Sequence, residues 1–322
     1  MIPALQQQIE EELQKLQLPN TPRELYEPIR YILKIGGKRI RPLLTLLSCQ
    51  LFNGQAENAL NQAIAVEIFH NFSLMHDDIM DEAPLRRGKE TVHNHWNENV
   101  AILSGDAMLI IAYQYLQRSS NEHLDDLLRC FNDTALKVCD GQQFDMEFEN
   151  RGDVSSDEYI NMISLKTAAL LAGSLQLGAI QANASREQQE QIALFGHHLG
   201  IAFQLQDDYL DAFGDPESFG KQVGGDILAN KKTILYLAAI ESDNDELRSE
   251  LKAIYHSETL KGDAKVKRCL ELFEEMGSKE RVAQLKEEHF DLAIHALKNC
   301  EGNSKIETEL LGLAEKLHVR AN

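Results

Sequence analysis

Apolar residues recur at three- and four-residue spacing over long stretches of the chain. Two such stretches are NALNQAIAVEIFHNFSLMHDDIM (58–80) and LFGHHLGIAFQLQDDYLDAF (194–213). This spacing places apolar side chains along one face of an α-helix, whereas a half-buried strand shows strict alternation. Strand-like alternation bounded by turn residues is hard to find in the sequence. The pattern therefore predicts an all-α fold built as one large helical bundle.

Residues that break helices are sparse, with 7 prolines and 19 glycines in 322 residues. We expect helices to end at Gly36–Gly37, at Pro84–Gly88 and at Gly152–Asp153. The longest stretch rich in such residues is FGDPESFGKQVGGD (213–226). Its glycines are typical of a mobile lid, and its composition fits a passive surface loop at least as well. The strongly charged region after Glu241 predicts peripheral helices.

Composition places the chain among ordinary globular proteins, since 43% of its residues are hydrophobic and 26% are charged. No low-complexity linker divides the chain, so we predict one domain over residues 1–322. No uninterrupted apolar run reaches the roughly 18 residues of a membrane-spanning helix. The N-terminal segment MIPALQQQIEEELQKL is acidic and amphipathic, unlike a signal peptide.

The formal net charge of −19 argues against nucleic acid as a partner, because phosphate backbones bind basic surfaces. A phosphate-bearing small substrate remains possible, since local basic clusters and metal ions override the global charge. The five cysteines are odd in number and include no CxxC pair. This usage predicts a reducing, cytoplasmic location.

Two copies of a DDxxD motif occur at the ends of apolar runs: SLMHDDIMD (73–81) and FQLQDDYLD (203–211). A separation of four residues puts the first and last carboxylates of each motif on one helix face, where they repel each other. A hard cation with oxygen ligands, such as Mg²⁺, relieves that repulsion. A solvated helix turn would explain a single copy. Two copies in one bundle favour a metal site, because two uncompensated acidic clusters are costly.

Basic residues form short clusters that could bind a metal-complexed phosphate group. They lie in GGKRIRP (36–42), in PLRRGKET (84–91), in SLKTA (164–168) and on either side of the possible lid: Lys38, Arg39, Arg41, Arg86, Arg87, Lys166, Lys221 and Lys231. Basic residues at helix ends often only interact with the helix dipole. Lys166 lies in an apolar helical segment and so needs a partner in a cleft, unless its stem reaches the surface.

The ordered series of motifs resembles the trans-isoprenyl diphosphate synthase (polyprenyl synthetase) family, short-chain type, from about Leu33 to Tyr236. The series is GGKRIRP, EIFH, HDDIMD, RRGKET, GDAML, GQQFD, KTA, FQLQDDYLD, GKQVGGD and NKKT. The resemblance implies an all-α isoprenoid-synthase bundle around a central active-site cavity. It also implies transfer of an allylic prenyl group to isopentenyl diphosphate.

The resemblance implies roles for the acidic motifs. Asp77, Asp78 and Asp81 form the first aspartate motif, which binds two Mg²⁺ ions in the family. Asp207, Asp208 and Asp211 form the second, and Asp207 matches the ligand of a third Mg²⁺ ion. These six aspartates and Lys166 are the expected catalytic residues.

The substrate-binding residues also follow from the resemblance. Four residues match those that hold isopentenyl diphosphate: Lys38, Arg41, His70 and Arg87. Six match those that contact the allylic diphosphate: Arg86, Lys166, Thr167, Gln204, Lys221 and Lys231. Gln142 and Asp145 of GQQFD match supporting site residues. Apart from the resemblance, His70 reads best as a hydrogen-bonded histidine inside the bundle.

Product length is the least determined property. Phe72 lies five positions before Asp77, and a bulky residue there is typical of short-chain synthases of this family. We therefore expect a C15 to C20 product, leaning to geranylgeranyl diphosphate. Phe72 is expected to close the pocket floor, with Ser73 nearer the carboxylate face and Phe69 one turn deeper. Ordinary core packing is the alternative for Phe72.

Two other functions share part of this pattern. A class I terpene cyclase has the first DDxxD but typically replaces the second, which is intact here. A non-catalytic subunit of a heteromeric synthase usually lacks some of the six aspartates, all of which are present. The family also implies a homodimer, with dimethylallyl, geranyl and farnesyl diphosphates as allylic substrates.

Overall fold

A computed structural model of the chain describes residues 1–119, 122–214, 223–257 and 259–318. Almost all of the regular structure in these ranges is helical. The helices are α1 (Ile2–Gln14), α2 (Arg23–Ile35), α3 (Ile40–Leu51), α4 (Leu60–Met80), α5 (Val92–His95), α6 (Glu98–Leu116), α7 (Leu124–Asn150), α8 (Ser156–Ile163), α9 (Ala169–Gln181), α10 (Arg186–Phe213), α11 (Gly225–Leu228), α12 (Ile234–Ile240), α13 (Asp245–Tyr255), α14 (Gly262–Glu275), α15 (Ser278–Lys298) and α16 (Ser304–His318). The all-α prediction is confirmed.

Two of the three expected helix ends are confirmed, whereas α4 ends at Met80, before the expected Pro84–Gly88. Helix α2 ends at Gly36, whose φ of +82° suits a residue without a side chain. The break at Gly152–Asp153 separates α7 from α8. Helix α8 begins with a capping box, in which Ser155 accepts from the backbone of Glu158 while the Glu158 side chain accepts from Ser155.

One short segment is not helical, although the apolar spacing suggested helix throughout. After α4, strands β1 (Leu85–Arg86) and β2 (Lys89–Glu90) pair as an antiparallel hairpin. The two residues between them, Arg87 and Gly88, have φ values of +53° and +72°. Positive φ at both central residues is the geometry of a two-residue hairpin turn.

The contacts group the chain into two compact units. Unit 1 comprises Met1–Ala135, Leu170–Ala193 and Asn299–Leu310. In unit 1, α4 packs against α3 and α6, and its apolar side chains bury on several sides. A helix that is apolar around its circumference is stable only inside a core.

Unit 2 comprises Leu136–Ala169, Leu194–Lys298 and Leu311–Asn322. Its core surrounds α12, which is buried from Ile234 to Ala239 and contacts α8, α14 and α15. Leu251, Leu272 and Val282 are fully buried in this core. The charged helices after Glu241 each bury an apolar face and expose charged residues, as amphipathic surface helices do, so their peripheral position stays a prediction. The single domain stays a prediction.

Helices α8 and α9 are joined without a break by a π-helical turn, Ser164–Ala168. Two helical stretches are long and apolar enough to span a membrane: Glu98–Leu116 and Ser156–Gln181. In the second, 67% of the window is buried inside the protein, as in a core helix. Length and composition of this kind are weak support for a membrane span.

The five cysteines all lie in the described ranges and form no disulfide.

Candidate functional site

The first aspartate motif lies in the last turn of α4, and its three carboxylates differ in exposure. Asp77 is half-buried, Asp78 is only 2% exposed and Asp81 is exposed. Arg86 of the hairpin donates from Nε to both oxygens of Asp78, at 2.8 and 2.9 Å. Burial raises the pKa of the Asp78 carboxyl, and the hydrogen bond from Arg86 opposes that rise. Asp78 is thus paired with an arginine, and the Nη2 atom of the same Arg86 lies 3.6 Å from Oδ2 of Asp77.

A cationic cluster of Arg41, His70 and Arg87 lies in the same unit. The Arg41 Nη1 atom is 3.1 Å from Nε2 of His70. Burial lowers the pKa of Arg41 to about 10, and the charge of Arg87 adds to this effect. Burial and the surrounding arginines hold the pKa of His70 well below its usual range, so the imidazole is neutral and accepts from Arg41.

The cationic cluster contains a donor that the described protein groups leave unsatisfied. The buried Nε of Arg41 has no hydrogen-bond partner among the described residues. Buried polar atoms are rarely left without a partner, so this donor points to an anionic ligand. The guanidinium of Arg87 lies against Gly37, where a Cβ would come within 2.6 Å of Nη1. The GGKRIRP glycine therefore makes room for an arginine of the hairpin.

Arg39, the remaining arginine of GGKRIRP, faces the interior instead. Its side chain is 3% exposed and pairs with Glu67 at 2.6 Å and Glu10 at 2.7 Å. Arg39 is the N-cap residue of α3 and has a φ of +51°. Lys38, on the other side of Arg39, is exposed. Sequence alone groups the three residues as one basic patch, and only their burial separates them.

The second aspartate motif, on α10, repeats the arrangement of the first. Asp207 and Asp211 are half-buried, and Asp208 is 4% exposed. Tyr159 donates to Asp208 Oδ2 at 2.6 Å, and Gln204 donates to Oδ1 at 3.0 Å. Burial raises the pKa of Asp208 to about 8 in spite of these two hydrogen bonds.

Asp211 holds the chain where it returns to α11. Its Oδ2 accepts from the backbone N–H of Asp226 at 3.0 Å, and its own carbonyl accepts from Gly224. Lys231 is exposed just beyond α11, and its backbone N–H donates to the Asp226 carbonyl at 2.9 Å. Lys221 and most of the possible lid lie outside the described residues.

The π turn presents Lys166 and Thr167 in unit 2. Lys166 Nζ donates to Asp145 Oδ2 at 2.5 Å, and Thr167 Oγ1 donates to Gln204 Oε1 at 3.1 Å. Gln142, one turn before Asp145 on α7, has a buried Nε2 with no partner among the described residues. The structure thus brings together four of the residues predicted for the allylic diphosphate and its support: Asp145, Lys166, Thr167 and Gln204.

The residues predicted to set product length form part of an aromatic wall in unit 1. The ring of Phe72 contacts Phe69 at a centroid distance of 5.5 Å and His76 at 4.8 Å. Phe69 contacts Phe131, which in turn contacts Tyr113. Ser73 donates its hydroxyl to the carbonyl of His70 in its own helix. Phe72 is half-buried and Phe69 fully buried, so Phe72 is the nearer of the two to open space.

Several residues that take part in these side-chain clusters were not predicted from the sequence. Tyr159, Glu67 and Lys232 are single polar residues with no motif spacing. Lys232 donates to the carbonyls of Phe148 and Glu149 at the end of α7. The pairing of Arg86 with Asp78 could have been anticipated, because a hairpin signal follows the first motif directly.

Residues 22–273 match the family model described as polyprenyl synthetase. The chain belongs to the polyprenyl synthetase family. It is 39% identical over 283 residues to the short chain isoprenyl diphosphate synthase of Methanothermobacter thermautotrophicus, covering 87% of this chain and 86% of the relative. It is 41% identical to the geranylgeranyl diphosphate synthase of Sulfolobus acidocaldarius, with 72% of each chain covered.

Relatives with a longer product are also similar. The geranylfarnesyl diphosphate synthase of Natronomonas pharaonis is 36% identical, with 71% of this chain and 73% of the relative covered. A crystal structure of a geranylgeranyl pyrophosphate synthase superposes with a TM-score of 0.95 at 45% identity, covering 100% of this chain and 99% of that one. This polyprenyl synthetase is therefore a prenyltransferase of isoprenoid biosynthesis with the family's all-α fold.

Family membership implies isoprenyl diphosphate substrates and a divalent metal cofactor, and the donor set fits such an ion. Both aspartate motifs offer carboxylate oxygens, the ligands that hard divalent cations prefer. In the part of the chain that the structure describes, no three His, Cys, Asp or Glu side chains form a ready-made ion cage. Mg²⁺ typically takes one or two carboxylates and completes its shell with water and substrate phosphates, so it needs no such cage.

Proposed function

We propose that the protein condenses isopentenyl diphosphate with an allylic diphosphate in a Mg²⁺-dependent head-to-tail reaction. The product is an all-trans short-chain prenyl diphosphate of C15 to C20, with C20 favoured. The observation that carries the proposal is the cationic cluster, in which the buried Nε of Arg41 has no hydrogen-bond partner among the described residues and the positive charges repel each other. A diphosphate supplies the negative charge that this cluster lacks.

Isopentenyl diphosphate is assigned to the cationic cluster, with Lys38 as an exposed additional cation. Arg41 and Arg87 bind the diphosphate oxygens, and neutral His70 orients the Arg41 guanidinium through the 3.1 Å contact. Because the cluster has no acidic residue in direct ion-pair contact among the described side chains, the substrate does not have to displace a protein carboxylate.

The allylic diphosphate is assigned to Lys166, Thr167, Gln204, Lys231, Lys221 and Arg86, with Gln142 and Asp145 in support. We assign the metal ligands to Asp77, Asp81 and Asp207, and propose that three Mg²⁺ ions bind when substrate is present. Bound Mg²⁺ neutralises the diphosphate charge that develops as the allylic C–O bond breaks. Asp78 was also predicted as a ligand. Its bidentate bond with Arg86 supports a role in orienting that arginine.

The protein supplies position and charge in this mechanism, and the released diphosphate takes up the proton. The allylic carbon loses diphosphate, the isopentenyl double bond forms the new C–C bond, and a proton leaves the adjacent carbon. The cationic side chains stabilise the negative charge of the leaving group. The aromatic wall around Phe72 keeps water from the allylic cation.

Product length is proposed to depend on Phe72. The ring is half-buried and rests on fully buried Phe69, so a growing chain that reaches it meets a packed wall. We further propose a homodimer and a cytoplasmic location.

The test is a product assay with purified protein, Mg²⁺, isopentenyl diphosphate and each allylic starter in turn. Asp77→Ala and Asp207→Ala should each lower turnover by at least about 100-fold with unchanged helix content. Asp291→Ala, at an exposed aspartate of α15, is the matched control and should keep full activity. Full activity of either motif variant, or of wild type in excess chelator, would refute the metal assignment.

The same assay separates the alternatives. A class I terpene cyclase would convert a prenyl diphosphate to a hydrocarbon or alcohol without consuming isopentenyl diphosphate. A non-catalytic subunit would give no turnover alone. The described cationic cluster favours the synthase, because a cyclase has no second diphosphate to bind.

A further inference from the structure

Two glycines on different helices make direct backbone contact with the π turn. A Cβ at Gly141 of α7 would lie 2.2 Å from the backbone nitrogen of Lys166 and 2.7 Å from its Cα. A Cβ at Gly200 of α10 would lie 2.5 Å from the Cα of Ala168. Real Cβ atoms essentially never come within 3.0 Å of another heavy atom. Because the atoms in the way belong to backbone, no side-chain rotation would relieve either clash.

The residue four positions after each glycine binds a side chain of the same turn. Asp145 follows Gly141 on α7 and accepts from Lys166, while Gln204 follows Gly200 on α10 and accepts from Thr167. Residues four apart lie on the same face of a helix. Each helix therefore contacts the π turn twice, with a glycine against its backbone and a polar side chain against its functional group.

The π turn itself adds a second reason why its position is sensitive. An i→i+5 turn inserts one extra residue and changes the direction of the side chains that follow. Its hydrogen bonds are less regular than those of an α-helix, so neighbouring helices must hold it. Gly141 and Gly200 allow α7 and α10 to approach close enough to do so.

We propose that Gly141 and Gly200 are positioning residues for the allylic diphosphate. They form a two-sided glycine socket, defined by Gly141 and Gly200, that fixes the backbone of Lys166 and Ala168. In this way the Lys166 ammonium and the Thr167 hydroxyl reach the diphosphate. The inference rests on the proposed function for the roles of Lys166 and Thr167.

The first test is Gly141→Ala, assayed with wild type under saturating Mg²⁺. The added methyl displaces the Lys166 backbone by roughly 1 Å, and a shift of that size costs up to about 100-fold in rate. We expect the KM for the allylic diphosphate to rise, or kcat to fall, by about 10- to 100-fold. The KM for isopentenyl diphosphate should change by less than about threefold, because the cationic cluster is untouched.

A double-mutant cycle separates positioning from general destabilisation. If Gly141 acts through the Lys166 side chain, Gly141→Ala should have little further effect in a Lys166→Ala background. Additive effects in the two backgrounds, or equal increases in both KM values, would overturn the inference. Gly200→Ala with Thr167→Ala gives the same cycle on the other helix. If Gly141→Ala does not fold, this second cycle is used in place of the first. Additive effects of Gly200→Ala and Thr167→Ala would then overturn the inference in the same way.

Two glycines serve as controls. Gly312→Ala lies in α16, where a Cβ meets nothing within 4 Å, and should leave both KM values unchanged. Gly302→Ala would clash with Leu51, at 2.6 Å from its Cγ, and should lower stability without separating the two KM values. If Gly302→Ala also raises only the allylic KM, the effect is not specific to the socket and the inference fails.

The outcomes distinguish this inference from the proposed function. Wild type without condensation activity would refute the proposed function. Normal wild-type activity with a silent Lys166→Ala would overturn the allylic assignment and the socket with it, while the enzyme class stands. A strong Lys166→Ala effect with a silent Gly141→Ala would overturn the socket alone.

Discussion

The two aspartate motifs share a buried middle carboxylate. In each, the middle aspartate is buried and bonded to protein, Asp78 by Arg86 and Asp208 by Tyr159 and Gln204. The first aspartates, Asp77 and Asp207, are half-buried beside them. A buried carboxylate needs hydrogen bonds of its own, and the middle aspartate of each motif finds them in side chains outside the motif or one turn away.

The substrate assignments predict a difference between two cationic variants. Arg87→Ala should raise the KM for isopentenyl diphosphate by about tenfold or more, since charge-assisted bonds to a ligand contribute about 1.5–3 kcal/mol. Lys231→Ala should act mainly on the allylic KM. Steady-state kinetics with each substrate varied in turn measure both. Arg129→Ala, at an exposed arginine of α7, is the control, and the reverse pattern would refute the assignment.

Phe72→Ala should open the pocket floor and shift the product toward longer chains. The ring that it removes separates the helix end from fully buried Phe69, so space appears directly below it. Chromatography of dephosphorylated products gives the readout. Phe144→Ala, at an exposed phenylalanine of α7, should leave the distribution unchanged. A wild-type product of C30 or longer, or an unchanged distribution in Phe72→Ala, would show that Phe72 is not the floor.

His197 makes a pH-dependent contribution to stability. Burial, reinforced by His198 and His289, lowers its pKa to about 4 from 6.5. The contribution of His197 to the free energy of unfolding is therefore complete above pH 6.5, the pKa of the histidine in the unfolded chain. It declines as pH falls below that value, because the unfolded chain takes up the proton before the folded protein does. Between about pH 7.5 and about pH 5 it should fall by up to about 1 kcal/mol, because solvent screens the partly exposed ring.

Urea unfolding of wild type and His197→Gln at both pH values measures that contribution. The free energy of unfolding of wild type, taken relative to that of His197→Gln, should be lower at the lower pH. His256→Gln, at an exposed histidine, should show no such change. A difference that does not depend on pH would show that His197 packs without a proton-linked effect.

At the scale of elements, Arg39 and Glu67 join the start of α3 to the middle of α4. Their side chains are 3% and 5% exposed, and Asn71 also donates to Glu67 Oε1. In Glu67→Ala, the Arg39 guanidinium stays buried and loses one of its carboxylate partners, while Glu10 remains. We expect the free energy of unfolding to fall by about 3 kcal/mol.

The exposed pair Arg23–Glu27 on α2 provides the matched control. Its side chains are 77% and 37% exposed, so Glu27→Ala should cost less than about 1 kcal/mol. Denaturant unfolding of both variants gives the comparison. Equal losses in the two variants would mean that the Arg39–Glu67 pair contributes no more than a surface pair.

The elements themselves were largely predictable, because apolar spacing and helix-breaking residues act locally. The helical stretches that became α4 and α10, and the end of α2 at Gly36, follow from the sequence pattern. The π turn did not follow from the sequence pattern, since SLKTA has ordinary helical composition. Its geometry depends on close contact with Gly141 and Gly200, which lie on other helices.

At the scale of the whole molecule, α6 presents apolar side chains that the described residues leave exposed. Leu103 and Ile110 are each 59% exposed and lie seven residues apart, on the same face. Homodimerisation would bury such a face. Light scattering should give twice the chain mass of 36.4 kDa.

Leu103→Glu should shift that mass toward the monomer, because a charge in an apolar interface is costly. Leu292→Glu, at a 48% exposed leucine of α15, is the control and should leave the mass unchanged. A monomeric wild type at working concentration would contradict the proposed dimer.

The sequence by itself determined the helical class, the helix ends at Gly36 and Gly152, the two DDxxD faces and the ordered motifs of the family. Each depends on residues close together in the chain, where spacing alone decides which side chains share a face. The tertiary structure decided which residues of a motif are buried and what they bind. Tyr159 and Asp208 are 49 positions apart and Arg39 and Glu67 are 28 apart, so only packing brings them together. Burial therefore gives residues of the same type within one motif different partners. A charged side chain that is removed from water needs a partner, and local spacing does not specify which residue that is.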